Sequence, residues 1–234
     1  MEKWRRFFQT YRIIEIKDDN DLLFQVGTTV EGKPISKLQQ SEIINSITMG
    51  LELNRKDNVL DLCCGNGIIT NDISRVVNKV IGIDGSESYI TNARKLKNNH
   101  NIIYCCDDVL NFKEYTIGEN INKIIFYASL AYFSKDELIT ILSNLKNNKT
   151  EKIYIGSILD KNKKYKFFNT FKRRIHYLFN YLILRNDLGL GNWWSKREII
   201  KIAVAQGFKI EILNQNPILH TAHYRFDALL INKN

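Results

Sequence analysis

Residues 59–70 read VLDLCCGNGIIT: an apolar run carrying one carboxylate, then two thiols, a Gly-Asn-Gly turn and the first apolar residues of a new segment. A short β-branched run that stops at a glycine turn and restarts with helical spacing reads as strand, tight turn, helix. Glycine at such a turn can take positive φ and lets the backbone approach a ligand, because it has no Cβ to collide. The turn also presents main-chain amides at the start of the helix that follows. A dinucleotide fingerprint would read GxGxxG, yet the third position here is Thr70. Asp61, four residues before Gly65, would oppose a pyrophosphate and suits a ligand with positive charge.

The same alternation continues outward from this stretch. Runs at 58–62, 79–83, 102–105, 123–127 and 152–157 read as strands, and segments 68–75, 87–98 and 135–145 read as helices between them. Near the end, GFKIEILNQ and HYRFDALLINK both alternate and are joined by NPILHTA, which predicts an antiparallel hairpin. The expected fold class is therefore α/β: a seven-stranded, mostly parallel sheet with an antiparallel terminal hairpin, plus helical lid segments. Two segments fall outside the alternation. Residues 1–57 are expected to form an N-terminal helical cap with a helix at 37–51, and residues 160–192 a lid insertion in the domain at 58–234. Ser195 followed by Glu198 is a capping box opening the next helix, and Gly207 ends it.

Composition bounds the remaining options. A chain of 234 residues is large enough for one sizeable core without disulfides. No apolar run nears the roughly 18 residues of a spanning helix, and no export signal is evident at the start of the sequence. The four Cys form two adjacent pairs, 63–64 and 105–106, which suit neither a disulfide framework nor a CxxC metal site, so no metal is expected. Reduced thiols and a cytoplasmic location follow as expectations. The net charge of +9 is spread over scattered Lys, apart from the run KNKKYKFFNTFKRR at 161–174. Charge of this kind favours solubility and attraction to anions without fixing a reaction.

Three motifs together carry a resemblance. DLCCGNG resembles the first motif of the class I S-adenosylmethionine-dependent methyltransferases, VIGIDGS the acidic end of their second strand, and YCCDDV their third-strand exit. Asp84 follows Gly65 by 19 residues, near the interval of about 20 expected for a ribose-binding acid. The resemblance implies a Rossmann-like fold with S-adenosylmethionine as donor and S-adenosylhomocysteine as product. It implies that Asp61 with the Cys63, Gly65 and Gly67 backbone holds the methionine moiety, that Asp84 accepts both ribose hydroxyls, and that Asp107 accepts from the adenine amine beside Asp108 and Val109. Asn66, Gly85 and Tyr127 complete the expected donor site. Each has a plainer alternative: Asp84 also suits the cap of a helix near residue 87, and one of Asp107 and Asp108 a solvated surface position.

Methyl transfer from a sulfonium needs alignment, exclusion of water and, for a hydroxyl acceptor, a base. The segment YASLAYF after the fourth strand lacks the Asn/Asp-Pro-Pro-aromatic and Pro-Cys signatures of amino- and cytosine-methylating nucleic-acid enzymes, so nucleic acid is disfavoured as substrate. In the basic run and the apolar stripe Phe168, Phe171, Ile175, Leu178, Phe179 and Leu182 we read either a lid over an anionic small-molecule acceptor or a packing or dimer helix, with weak membrane-surface association as a lesser option. His220, His223 and Tyr132 are the candidate catalytic residues; Trp193, Trp194, Tyr224, Arg225 and Arg173 are the candidate acceptor contacts. The last hairpin together with QVGTTVEGKPIS resembles bacterial small-molecule methyltransferases, several of them associated with surface-polysaccharide pathways, a resemblance that implies closure of Gln25 to Thr29 over the cofactor. A monomer or homodimer, an RNA or protein substrate, a non-catalytic cofactor-binding partner and an NAD oxidoreductase are the remaining alternatives.

Overall fold

The computed structural model describes residue 4 and residues 7–8, 10–146, 150–167, 175 and 191–232. Its centre is a seven-stranded sheet: β1 (Asn58–Leu62), β2 (Lys79–Asp84), β3 (Ile102–Cys106), β4 (Lys123–Tyr127), β5 (Lys152–Leu159), β6 (Phe208–Asn214) and β7 (Arg225–Asn232). Their spatial order is 3-2-1-4-5-7-6. The first five are parallel, β7 runs antiparallel to β5, and β6 antiparallel to β7. The expected Rossmann-like α/β class is what the structure shows. Strand order reverses between β1 and β4, and the crevice beyond their carboxyl ends is where an open sheet of this kind holds a ligand.

The strands form because nearly every residue is apolar and both faces are covered. In β4 the first four residues of KIIFY are buried, and in β5 the last seven of KIYIGSIL. Period-2 alternation divides them between two cores. Leu60, Leu62, Ile124, Phe126, Ile153 and Ile155 belong to the face covered by α5 (Lys135–Lys146) and α6 (Lys196–Ala205). Val59, Val80, Ile125 and Tyr154 belong to the other, packed by α1 (Asp19–Gln25), α2 (Lys37–Leu51) and α3 (Ile68–Ser74). Ile43, Ile47 and Leu51 of α2 are buried there. Burying three such side chains stabilises by roughly 5–9 kcal/mol, so α2 shares the sheet's core.

Local signals set the element ends. The Ser195 hydroxyl accepts from the Glu198 amide at 3.1 Å while the Glu198 carboxylate accepts from the Ser195 amide at 2.9 Å, which closes the expected capping box of α6. Asp18 caps α1 by accepting from the Asn20 and Asp21 amides. Among the five parallel strands and the helices expected between them, two boundaries differ from expectation by more than one residue. β5 continues to Leu159 because it re-pairs with β7 beyond a bulge between Ile155 and Ile158, where Ser157 takes φ +61°. Between β2 and β3, α4 (Glu87–Leu96) stops at Leu96, two residues early, with Lys97 as its cap.

Gly50, near the end of α2, lies flush against the sheet: a Cβ there would stand 2.8 Å from Cδ2 of Tyr154. That ring is 1% exposed and its hydroxyl donates to Asp227 at 2.6 Å, so it has nowhere to move. Alanine in place of a helical glycine ordinarily gains about 1 kcal/mol, but overpacking of this kind costs about 1–3 kcal/mol. Gly50→Ala is therefore expected to lower the denaturation midpoint in urea. An equal or higher midpoint would contradict the flush packing of α2 on β5.

Candidate functional site

The carboxyl ends of β1, β2 and β4 open onto one cavity, and the main chain around it adopts unusual conformations. Cys63, after β1, takes φ +60°, and Ala128, after β4, φ +56°. Left-handed backbone at a residue with a Cβ costs on the order of 1 kcal/mol and clusters at functional sites. Both residues line the cavity. Gly65 and Gly67 take φ +57° and +76°, which leads the chain through the turn into α3.

Asp84 at the end of β2 joins the turn to the next strand. One carboxylate oxygen accepts from the Gly65 amide at 2.9 Å, the other from the Ser86 amide at 2.9 Å. Each oxygen retains a lone pair, so two further donors can be received from the cavity that Asp84 lines. Burial pushes its pKa up to about 6, against the lowering effect of those two amides. The main chain extends the link: Cys64 N–H donates to Ile83, and Asp107 N–H to Asp84.

The other expected donor-site residues divide. Cys63, Gly65, Asn66, Asp84, Gly85, Asp108, Val109 and Tyr127 line the cavity; Asp61, Gly67 and Asp107 do not. Asp61 is 3% exposed, and its carboxylate accepts from the Thr70 hydroxyl at 2.6 Å. Burial, with the Asp84 charge adding to it, pushes its pKa up to about 7. It braces the start of α3 from beneath. At Gly67 a Cβ would fall 2.3 Å from the Tyr104 hydroxyl, so glycine is required there by packing on β3. Asp107 turns to Tyr115, whose hydroxyl donates to it at 2.7 Å, and it is Asp108 that faces the cavity. Cys63 and Cys64 are pushed well above the ordinary thiol range by burial, which leaves both unsuited to nucleophilic work.

Among the expected catalytic and acceptor residues that are described, only Tyr132 lines the cavity. His220 and His223 lie in the loop before β7; burial and the neighbouring Arg225 lower the pKa of His220, and His223 sits 4.8 Å from the ring of Tyr224. Trp194 is a core residue at 2% exposure, donating through its indole to Leu130 at 3.2 Å. Trp193 lies edge-on to Phe167 at 6.0 Å, and Tyr224 edge-on to the same ring at 5.1 Å. Arg225 donates to the Ser157 carbonyl and hydroxyl at 3.1 and 2.9 Å. Arg173 lies outside the described residues, as does the apolar stripe apart from the exposed Ile175.

The larger part of the lining was not anticipated. Trp4 and Phe8 from the N-terminus meet Tyr132 at 4.7 and 4.9 Å and close one side, with Tyr89 behind them. Leu23, Ile35, Gln40 and Ile43 come from the segment of α1 and α2, and with them Val26 and Thr28 of the stretch 25–29 that was expected over the cofactor. Asn66 fastens this segment to the glycine turn: its amide donates to the Leu22 carbonyl at 2.8 Å and to the Gln25 side chain at 2.9 Å. The four aromatics within residues 4–11 and the motif QVGTTVEGKPIS were the available signals.

A family model described as a methyltransferase domain matches residues 59–148. A probable decarboxylating cobalt-precorrin-6B C(15)-methyltransferase of Methanococcus maripaludis is 32% identical over 139 residues, 57% of this chain and 68% of that protein. The chain belongs to the class I S-adenosylmethionine-dependent methyltransferases. A 23S rRNA (uracil(1939)-C(5))-methyltransferase of Histophilus somni is 32% identical over 43% of this chain, and that match spans 23% of the relative's length. The fold of this methyltransferase is similar to that of the magnesium protoporphyrin IX methyltransferase from Synechocystis PCC 6803 solved with S-adenosylhomocysteine (TM-score 0.63, 14% identity, 99% of each chain). Also similar is the plantazolicin methyltransferase BamL (TM-score 0.60, 18% identity, 85% of this chain and 86% of that one). No described helix is long and apolar enough to cross a membrane.

Asn66→Ala tests the fastening of the N-terminal segment. Loss of its amide removes two hydrogen bonds and leaves the Leu22 carbonyl with the Val26 amide and the Gln25 side chain with the Asn92 amide, at a cost of about 1–3 kcal/mol for the two bonds. The expected outcome is a lower stability in urea together with faster hydrogen exchange across residues 19–26. Unchanged exchange there would show that the contact is dispensable.

Proposed function

We propose that this chain transfers a methyl group from S-adenosylmethionine to an oxygen or nitrogen atom of a small acceptor. The observation that carries the reading is the Asp84 carboxylate, anchored to main-chain amides on both oxygens and still able to accept two hydroxyls from the cavity. A donor with net positive charge suits a cavity whose only charged lining residues, among those described, are Asp84 and Asp108. Asn66 contributes a buried carbonyl oxygen, Oδ1, that has no partner among the described residues. Bound S-adenosylmethionine supplies a methyl group already activated by its sulfonium.

In this reading Asp84 receives the ribose hydroxyls, Asp108 with the main chain at Val109 holds the adenine edge, and the Cys63–Gly65 backbone lies along the methionine tail. Trp4, Phe8 and Tyr132 exclude water, which strengthens every polar contact within. Tyr127 is fixed on the acceptor side: its ring lies against Gly156, where a Cβ would come within 2.3 Å of it. Burial raises its pKa far beyond the ordinary phenol range, so it acts as a neutral hydroxyl that orients and does not abstract. Tyr132, also raised by burial, has the same character. His220 and His223 do not line the cavity, and the proposal gives them no role.

The basic run that raised an anionic acceptor contributes no described residue to the lining. RNA is the second reading, favoured by the net charge of +9 and by the rRNA-modifying relative. Binding to RNA that falls steeply with salt would support it, since phosphate contacts release counterions.

Titration calorimetry with S-adenosylhomocysteine, with NADH as the control ligand, tests the proposal. Asp84→Asn is expected to weaken S-adenosylhomocysteine by roughly 30- to 100-fold, about 2–3 kcal/mol for hydrogen bonds to a charged group. NADH should not bind. Wild-type affinity in the variant would remove the basis of the reading. The pH dependence gives a further check. Because the Asp84 pKa stands at about 6, the free protein takes up a proton there on acidification and loses acceptor capacity and negative charge together. Affinity is expected to be level above about pH 7 and to fall below about pH 6, approaching tenfold per unit. Asp84→Asn should flatten that slope.

A further inference from the structure

The cavity spans both cores of the sheet, and its two sides differ in chemistry. On the side of β2 and β3 stand the two carboxylates, Asp84 and Asp108. On the other side, the wall is made by Leu23, Ile35, Ile43, Ile68, Ile69 and Tyr127, which belong to or pack against the cluster beneath α2 and α3. Of the polar groups there, Gln40 donates its side-chain amide to Asp72 at 3.2 Å, and the Tyr127 hydroxyl stands beside Ser157. No Lys, Arg or His lines the cavity among the described residues.

We propose that this apolar side is the acceptor compartment, and that it takes an uncharged, largely apolar molecule whose hydroxyl or amine is oriented by Tyr127. The inference rests on the donor reading above and names the substrate class of the same site. Moving a phosphate or carboxylate into such a wall costs its hydration, with no cation among the described lining residues to compensate. The two nearby carboxylates would add repulsion. An apolar ring loses nothing by the same transfer and gains about 25 cal/mol for each Å² it buries. Tyr127 is held by the glycine at position 156 behind its ring. Arg225 stands behind that ring, outside the lining, with Nη1 donating to the Ser157 carbonyl and hydroxyl and Nε buried without a partner among the described residues. One hydroxyl donor at a fixed place in an apolar wall is how small-molecule sites orient a ligand.

The probes are 2-naphthol and 2-naphthyl phosphate, matched in ring and different in charge, titrated into the full chain saturated with S-adenosylhomocysteine and read by naphthyl fluorescence. S-adenosylhomocysteine is titrated alone first, so a failure of the donor reading appears separately as absence of that binding. The expected result is saturable binding of 2-naphthol, at least tenfold tighter than its phosphate. Ile43→Lys, which sets a cation in the wall, should reverse the preference while S-adenosylhomocysteine still binds; Ile35→Lys repeats the test if the first variant does not fold. Equal or tighter binding of the phosphate by the wild type overturns the inference. So does binding of neither probe by protein that has taken S-adenosylhomocysteine.

Discussion

The site depends on one carboxylate holding two strand ends together. Asp84 reaches from β2 to the amide of Gly65 in the turn after β1 and to its own chain at Ser86. Both contacts use main-chain donors that a tight turn would otherwise leave unsatisfied in a partly buried place. The same residue thus fixes the shape of the glycine turn and leaves acceptor capacity facing the cavity. Its raised pKa follows from that position, since burial outweighs two hydrogen bonds. A second carboxylate, Asp61, stands one layer deeper, bound to Thr70, and is nearer to neutral for the same cause. The turn therefore rests on one acid that faces the cavity and one that only supports it.

Most of the sheet could be read in advance because parallel strands covered on both faces are nearly continuous apolar runs, and glycine turns mark their ends. All five parallel strands and the terminal hairpin come from that pattern, as does the helix cap at Ser195 and Glu198. Where neighbouring residues share a chemistry, pattern is less informative. Asp107 and Asp108 are the same side chain one position apart, and only the turn after β3 decides that Asp108 faces inward while Asp107 binds Tyr115. Likewise adjacent Trp193 and Trp194 are separated by one isolated bridge from Trp194 to Asp160, which sends the second indole into the core. The role of Gly67 was legible as conformational need but not as packing, because the Tyr104 ring that it accommodates lies 37 positions away.

The N-terminal segment was the least legible part of the site. Its contribution comes from contacts that join distant positions: Asn66 to Leu22 and Gln25, Tyr89 to the Gln25 carbonyl, and Val26 against Gly65. No periodicity within residues 10–43 announces such partners. The consequence is functional, because this segment carries the apolar wall opposite the carboxylates. On the proposed reading the sheet ends receive the donor, and this segment with Ile68, Ile69 and Tyr127 faces the acceptor.

The account stands on the donor nucleoside lying against Asp84. A crystal structure of the chain grown with S-adenosylhomocysteine measures this directly. The ribose hydroxyls should lie within hydrogen-bonding distance of both Asp84 oxygens, with adenine beside Asp108 and Val109 and the sulfur turned toward Tyr127. A nucleoside bound elsewhere, or an Asp84 carboxylate contacted by the main chain alone with ligand present, would contradict it.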